Sequence, residues 1–408
     1  MSIPPIGATQ AVRSSRMLAA CLLGGTAGWS LTAAGAEAST IAGVYHLTLP
    51  EVGVLTSTFS LTYAAFQVPS GIVVDRLGMR RAGVWGLGMV AAAYACAALA
   101  PLAILAGLCR AVAGVGAALC YVSGAETARS SGTGPVGQGL FGGAAAAAGG
   151  AALLAVPLGD GVLGWRSTWV TSALLALAGL AAVLIAVPSA VAQRKRASVV
   201  GPRTRGSVFG DGELYRLAAV HAVTFGGSVV LSNWAALILR RTWGVPSALA
   251  SASASLILLT TILSRPLGGY LARRRPDRVR AWTAGSLMAG GLCVLALAHA
   301  GPRPLAPLLC LALGIASGIP FAGVFASAQQ RRPDRPAGAI GLLNAHANAL
   351  IVVGIPLVGA SVADGWSTTA LVLVAAVWTV PLVCLPGRPA EQDLCSRAPG
   401  VEGSSTAE

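Results

Sequence analysis

With 408 residues, 55% of them hydrophobic and only 10% charged, and a mean hydropathy of +0.73, the chain carries more apolar surface than one water-soluble core can bury. Its net charge of +14 would suit nucleic acid only if the basic residues formed one continuous patch; they are spread in short groups between apolar runs, which excludes that class. What remains is a polytopic membrane protein. Twelve apolar runs are legible, with limits near residues 17–44, 51–74, 82–101, 104–127, 134–158, 164–187, 214–239, 246–271, 280–300, 304–328, 337–362 and 366–386. At ~1.5 Å per residue each can cross ~30 Å of hydrocarbon as a helix.

In chain order, a short tail (1–16) precedes the first run, which is too long for a signal-peptide core and reads as a retained helix. That run holds Glu37 near its outer end. The second run carries Tyr63 and Phe66, then Gln67-Val-Pro69-Ser-Gly71, and leads into a charged turn, Gly71-Ile-Val-Val-Asp75-Arg76-Leu-Gly78-Met-Arg80-Arg81. The fourth contains Arg110-Ala-Val-Ala-Gly114-Val-Gly116 and ends with Glu126 and Arg129. The fifth has a small-residue face (Gly139, Gly142, Gly143, Gly149 and Gly150 around Ala144 to Ala148) suited to close helix packing.

A basic stretch with Arg194-Lys195-Arg196 splits the chain into two sets of six runs. The expected organisation is therefore a tail (1–16), a first six-helix bundle (17–188), a flexible linker (189–213), a second bundle (214–386) and a C-terminal tail (387–408). In the second half Asn233 and Trp234 fall in the seventh run, and His221 reads as interfacial. The eighth holds Arg265-Pro266-Leu-Gly268-Gly269, followed by Arg273-Arg274-Arg275-Pro276-Asp277. Aligned on Gly71 and Gly269, the two turns match, with Gln67 opposite Arg265 and Asp75 opposite Arg273. Val156-Pro157-Leu158 with Gly164-Trp165 repeats as Ile355-Pro356-Leu357 with Gly365-Trp366. Asn344 and Asn348 share one face of the eleventh run, while His346 points elsewhere.

Counted from a cytoplasmic N-terminus, the inner loops and tails collect every basic residue except Arg110, Arg166, Arg240, Arg241, Arg265 and Arg303. The positive-inside rule then places both termini in the cytoplasm, and the protein in the plasma (inner) membrane. The eight cysteines show no paired ligand spacing, so neither disulfides, a metal site nor a cofactor is expected. No loop exceeds about 25 residues, which leaves no room for a soluble catalytic domain; the chain does not read as an enzyme.

These paired signatures describe a duplicated six-helix unit, a plan on which secondary transporters place a substrate site between halves. The chain resembles the major facilitator superfamily over essentially all twelve runs. Gly71, Asp75, Arg76, Gly78, Arg80 and Arg81 match its loop signature between spans two and three, and the Arg110 segment resembles its fourth-span signature. The resemblance implies an all-α fold of twelve transmembrane helices in two pseudo-symmetric six-helix bundles, working by alternating access. It also implies a conformational latch built from Gly71, Asp75, Arg76, Gly78, Arg80, Glu126 and Arg129; a topology-fixing loop with solvated charges is the plainer alternative. The Arg273 turn is expected to be a degraded second latch.

Three charges lie inside spans, where each costs several kcal/mol unless paired or watered. Glu37 and Arg110 share a depth of roughly 10 Å by helical rise and are expected to pair, either as a proton-coupling group or as a static ion pair. Arg265, eight residues before Arg273 and therefore ~12 Å into the membrane, has no acidic residue on a neighbouring turn. A guanidinium there suits a carboxylate or oxyanion; snorkelling or bonding to backbone carbonyls is the alternative. The segment resembles the eighth-span arginine motif of nitrate/nitrite porters and, more loosely, of monocarboxylate transporters. Nitrate/nitrite porters carry a matching arginine in span two, where this chain has Gln67, which leaves room for a larger or less charged solute. The expected substrate-binding set is Arg265, Gln67, Asn344, Asn348, Tyr63 and Asn233. The expected partners are a small solute, anionic in the leading reading, with protons as an open case, and membrane lipid, for a protein working as a monomer. Proton-driven efflux of drugs or metabolites is the alternative function.

Overall fold

The computed structural model describes residues 6–188 and 207–385, and every regular element among them is helical. Helices that follow one another almost without interruption build twelve spans. Span 1 joins Ile6–Ala36 to Ala38–Tyr45; span 2 joins Leu49–Ala65 to Gln67–Leu77; spans 3 to 6 are Met79–Ala97, Ala103–Ser130, Pro135–Leu158 and Ser167–Ala186. Span 7 runs through Gly212–His221, Ala222–Gly227 and Ser228–Trp243, and span 8 through Ser247–Leu259 and Thr261–Arg274. Spans 9 to 12 are Val279–Leu297, Leu305–Arg331, Pro336–Ala363 and Ser367–Thr379. Nine stretches of the described residues are long and apolar enough to cross a membrane alone; spans 2, 3 and 12 complete the set. The first helix begins at Ile6, inside the segment expected to be a tail. The C-terminal tail and most of the expected linker lie outside the described residues.

The spans form two pseudo-symmetric bundles of six. In the first, span 1 packs on spans 4, 5 and 6, and span 3 on spans 4 and 6; in the second, span 10 packs on spans 8 and 9, and span 9 on span 12. Each bundle is filled by buried aromatics, Trp169 with its indole donating to the Tyr45 hydroxyl at 3.0 Å and Trp378 lying against Gly227 and Gly290. With lipid tails as apolar as Leu, such close small-to-large packing supplies the helix association that hydrophobicity cannot.

Breaks in the helices have local causes. Span 2 is interrupted at Phe66, where Pro69 three residues on has no amide to give the Ala65 carbonyl. In span 8 Pro266 frees the Ile262 carbonyl in the same way, and that oxygen lies against Gly143 of span 5, 2.9 Å from where a Cβ would sit. Span 7 widens to a π-helix over Ala222–Gly227 directly after His221, a distortion frequent at functional sites.

The two bundles meet mainly through the half-helices next to the arginine-rich turns. Gln67–Leu77 packs on span 11 and Thr261–Arg274 on span 5, whereas the other halves of the same spans, Leu49–Ala65 and Ser247–Leu259, touch the opposite bundle much less. The bundles are therefore packed tightly at the arginine-rich end and more loosely at the other.

Candidate functional site at the bundle interface

Two strips of side chains, related by the internal repeat, line the closed end. On span 2 Gln67, Gly71 and Asp75 follow at four-residue spacing and so share one face; on span 8 Arg265, Gly269 and Arg273 do the same. The glycines are there for close approach. A Cβ on Gly71 would fall 2.7 Å from the Ala337 carbonyl oxygen of span 11, and one on Gly269 2.5 Å from the Pro135 carbonyl oxygen of span 5. One turn deeper the partners return the contact: Gly341 admits the Gln67 carbonyl and Gly139 the Arg265 carbonyl. The backbone match read from the sequence is thus a matched pair of helix crossings.

The side chains on the two strips behave differently. Asp75 accepts from the backbone amides of Ala337 at 3.0 Å and Gly338 at 2.7 Å, capping the first turn of span 11 from the opposite bundle, where a helix dipole favours negative charge. The expected latch is thus built differently from the one the turn suggested. Arg80 donates to the Leu184 carbonyl at 2.9 Å and Arg76 is exposed. Glu126 pairs with Arg129 within span 4, with an Nε to Oε2 distance of 2.8 Å. Asp75 takes backbone amides rather than guanidiniums because Gly71 and Gly338 bring the span 11 terminus within reach before any arginine can. On the other strip Arg273 is exposed; a guanidinium has no acceptor to offer the span 5 amides, so no second cap forms there.

Deeper in, Arg265 is buried at 4% exposure. One terminal nitrogen donates to the Gly142 carbonyl of span 5 at 2.7 Å, across the bundle interface. The guanidinium carbon lies 4.5 Å from the Phe321 ring centre and 5.3 Å from that of Phe225. Cation–π contacts of about 2 kcal/mol when desolvated hold the group without neutralising it. Among the described residues no carboxylate lies within ion-pair distance of Arg265, and its Nε has no hydrogen-bond partner.

The same phenylalanines carry His221, 1% exposed, whose ring stacks on Phe225 at 5.4 Å and packs against Phe321 and Phe325 at 5.7 and 5.0 Å. Its Nε2 lies 3.0 Å from Asn344 Oδ1 on span 11. Asn348 donates to the Asn344 carbonyl at 2.8 Å and extends that face. Gln67 is fully buried against Gly341; it faces Tyr63, yet neither amide atom makes a hydrogen bond of normal geometry. Tyr63 stands edge-on to Tyr121, whose hydroxyl also lacks a partner, and Tyr121 feels the Arg265 charge. Arg265, Tyr121, Tyr63, Gln67, Asn344 and His221 thus ring one place between spans 2, 4, 7, 8 and 11. Buried polar atoms left unpaired cost about 1–3 kcal/mol each, so the six gathered here make this place the candidate binding site.

Other expected residues fall elsewhere. Asn233 is exposed and donates to the Val229 carbonyl of its own helix at 2.8 Å, so it does not join the ring. The expected Glu37–Arg110 pair does not form. Arg110 is fully buried and donates to the carbonyls of Leu55, Thr56 and Ser30 at 3.2, 3.2 and 3.5 Å, with Phe59 under the guanidinium at 5.1 Å. Glu37 occupies a break in span 1 and faces Thr40 and the Asp160 carboxyl instead. Span 1 is not an unbroken helix, and the break at Glu37 redirects its side chain away from Arg110.

Three features went unread in the sequence. The sequence reads His221 as interfacial, whereas it is buried, and the Phe321 and Phe325 pair at i, i+4 is the signal for the aromatic wall it packs on. Gln138 of span 5 donates to Gln329 of span 10 at 3.0 Å and to the Ala125 carbonyl at 2.8 Å, a buried polar lock between bundles. At the mouth of span 7, Arg331 pairs with Asp211 at 3.1 Å and Arg332 with Asp334 at 3.0 Å, beside a surface depression of about 530 Å³.

Residues 18–354 match the family described as Major Facilitator Superfamily. The chain is 25% identical over 337 residues to "Probable nitrate/nitrite transporter NarK2" of Mycobacterium tuberculosis, found in two strains, an alignment spanning 79% of this chain and 82% of the relative. In fold it is similar to the major facilitator superfamily proton:xylose symporter XylE bound to 6-bromo-6-deoxy-D-glucose, with a TM-score of 0.71, 12% identity, and coverage of 95% of this chain and 99% of that one.

Proposed function

The chain belongs to the major facilitator superfamily, a family of transporters and not enzymes, and from that membership we propose that this secondary transporter carries a small monoanion held between its bundles by Arg265. The observation that carries the reading is a buried guanidinium with no carboxylate partner among the described residues and an unbonded Nε. A planar donor fork in that state favours an anion that lies flat against it. The relative NarK2 is named a probable nitrate/nitrite transporter, which agrees with the charge class. With the arginine-rich end toward the cytoplasm, as the positive-inside bias favours, the described conformation is the one shut on the inside.

Transport proceeds by rocking of the bundles about the ring. The Asp75 cap and the Gln138–Gln329 bond hold the inner side shut; their rupture opens the route to the cytoplasm, and Arg265 must then exchange its Gly142 contact, which belongs to the opposite bundle. Export of cationic drugs fits poorly, since a cation entering the ring meets only positive charge. The test is flux in proteoliposomes under an imposed potential, comparing a monocarboxylate and nitrate with a lipophilic cation. Saturable anion flux is expected; saturable cation exchange with no anion flux would replace this reading by the efflux one.

A further inference from the structure

The ring around Arg265 contains acceptors as well as donors, and they discriminate between kinds of anion. Gln67 is fully buried beside Tyr63, and neither amide atom makes a hydrogen bond of normal geometry: one side donates and the other only accepts. His221 and Asn344 share a single hydrogen bond, with His221 Nδ1 and Asn344 Nδ2 left unpaired. If the imidazole donates to the amide oxygen, the free imidazole nitrogen is an acceptor and the free amide nitrogen a donor. If the amide is turned over and donates to the imidazole, the free imidazole nitrogen becomes the donor and the amide oxygen the acceptor. Both assignments of a neutral imidazole and an amide leave one unpaired acceptor and at least one unpaired donor.

Nitrate and nitrite accept hydrogen bonds and donate none. They can satisfy Arg265, Tyr121 and the amide nitrogens, but they leave the buried acceptors of Gln67 and of the His221–Asn344 pair facing lone pairs. Resting on the monoanion reading above, we infer that the solute is a monoanion that carries its own hydrogen-bond donor, a small hydroxycarboxylate being the simplest such chemistry. Its carboxylate lies on Arg265 and its hydroxyl hydrogen points to an acceptor of Gln67 or of the His221–Asn344 pair. His221 and Asn344 are then specificity residues, and the single arginine sets the limit of one negative charge. The phenylalanines at 225, 321 and 325, packed about His221, fix the imidazole orientation on which this selection depends.

The experiment is competition and counterflow in proteoliposomes with glycolate, acetate and nitrate, three small monoanions of which only glycolate carries a donor at neutral pH. Glycolate is expected to be preferred over acetate and nitrate by at least about tenfold, as for sites built around a substrate hydroxyl. His221→Phe should bring glycolate down to the acetate level, and His221→Gln, which keeps one donor and one acceptor, should restore part of the preference. Ligand-induced thermal stabilisation of the purified variants provides a second readout and shows whether each is folded. Equal or better handling of nitrate, or an undiminished glycolate preference in a folded His221→Phe protein, overturns the inference while leaving the monoanion reading standing. Absence of flux for all three anions removes the monoanion reading and this one with it.

Discussion

The Gln67–Asp75 strip on span 2 and the Arg265–Arg273 strip on span 8 occupy equivalent places, cross equivalent helices and use equivalent glycines, yet carry opposite chemistry. The first is neutral in the middle of the membrane and acidic at its edge; the second is cationic at both levels. On span 2 the edge carboxylate caps span 11 and closes the interface, while on span 8 the edge arginine cannot cap span 5 and the deep arginine stays unneutralised. The two strips share a backbone pattern and differ at two side chains each, so that the proposed latch draws on Asp75 of the first and the proposed anion contact on Arg265 of the second.

The comparison can be broken first at the glycines, where both strips should respond alike. Gly71→Leu and Gly269→Leu each drive side-chain atoms into a carbonyl of the opposite bundle, and overpacking of that kind costs about 1–3 kcal/mol. Both variants should lose the conformation closed at the arginine-rich end, read as a longer distance between spin labels on spans 2 and 11 or 8 and 5. Unequal effects would mean that the crossings are not equivalent.

Converting the deep position should come next in size. Gln67→Arg places a second guanidinium in the ring and removes the neutral acceptor, so the empty protein should lose several degrees of thermal stability, with added nitrate restoring more of it than added glycolate. At the edge, Asp75→Asn removes a charge-assisted cap worth about 1–2 kcal/mol and should shift the population toward the form open at that end. Arg273→Gln should stay within about 0.5 kcal/mol, as for an exposed site.

Much of this was legible in the sequence because membrane helices obey few rules. Apolar length gave the twelve spans, and the Gly71 and Gly269 turns gave the register of the repeat. Arg265 was visible because a charge at that depth has no innocuous reading. Less visible was anything that depends on a helix break. Glu37 and Arg110 share a depth only if span 1 is straight, and it is not. His221 stands just before a π-helical stretch, and no residue pattern in Ala222–Gly227 announces that widening. Asp75 was assigned to the latch, but its partners are amides of a helix far away in sequence, and backbone donors leave no trace in composition.

The central claim is that Arg265 on the span 8 strip supplies the charge that holds the anion. Its most direct test is the initial rate of saturable monoanion uptake into proteoliposomes containing wild type, Arg265→Ala or Arg265→Lys, each checked for correct folding. The account predicts a loss of about 100-fold or more in the alanine variant, as for truncation of a buried charged group that meets its ligand, with partial retention in the lysine variant. Saturable anion uptake at the wild-type rate in Arg265→Ala would contradict it.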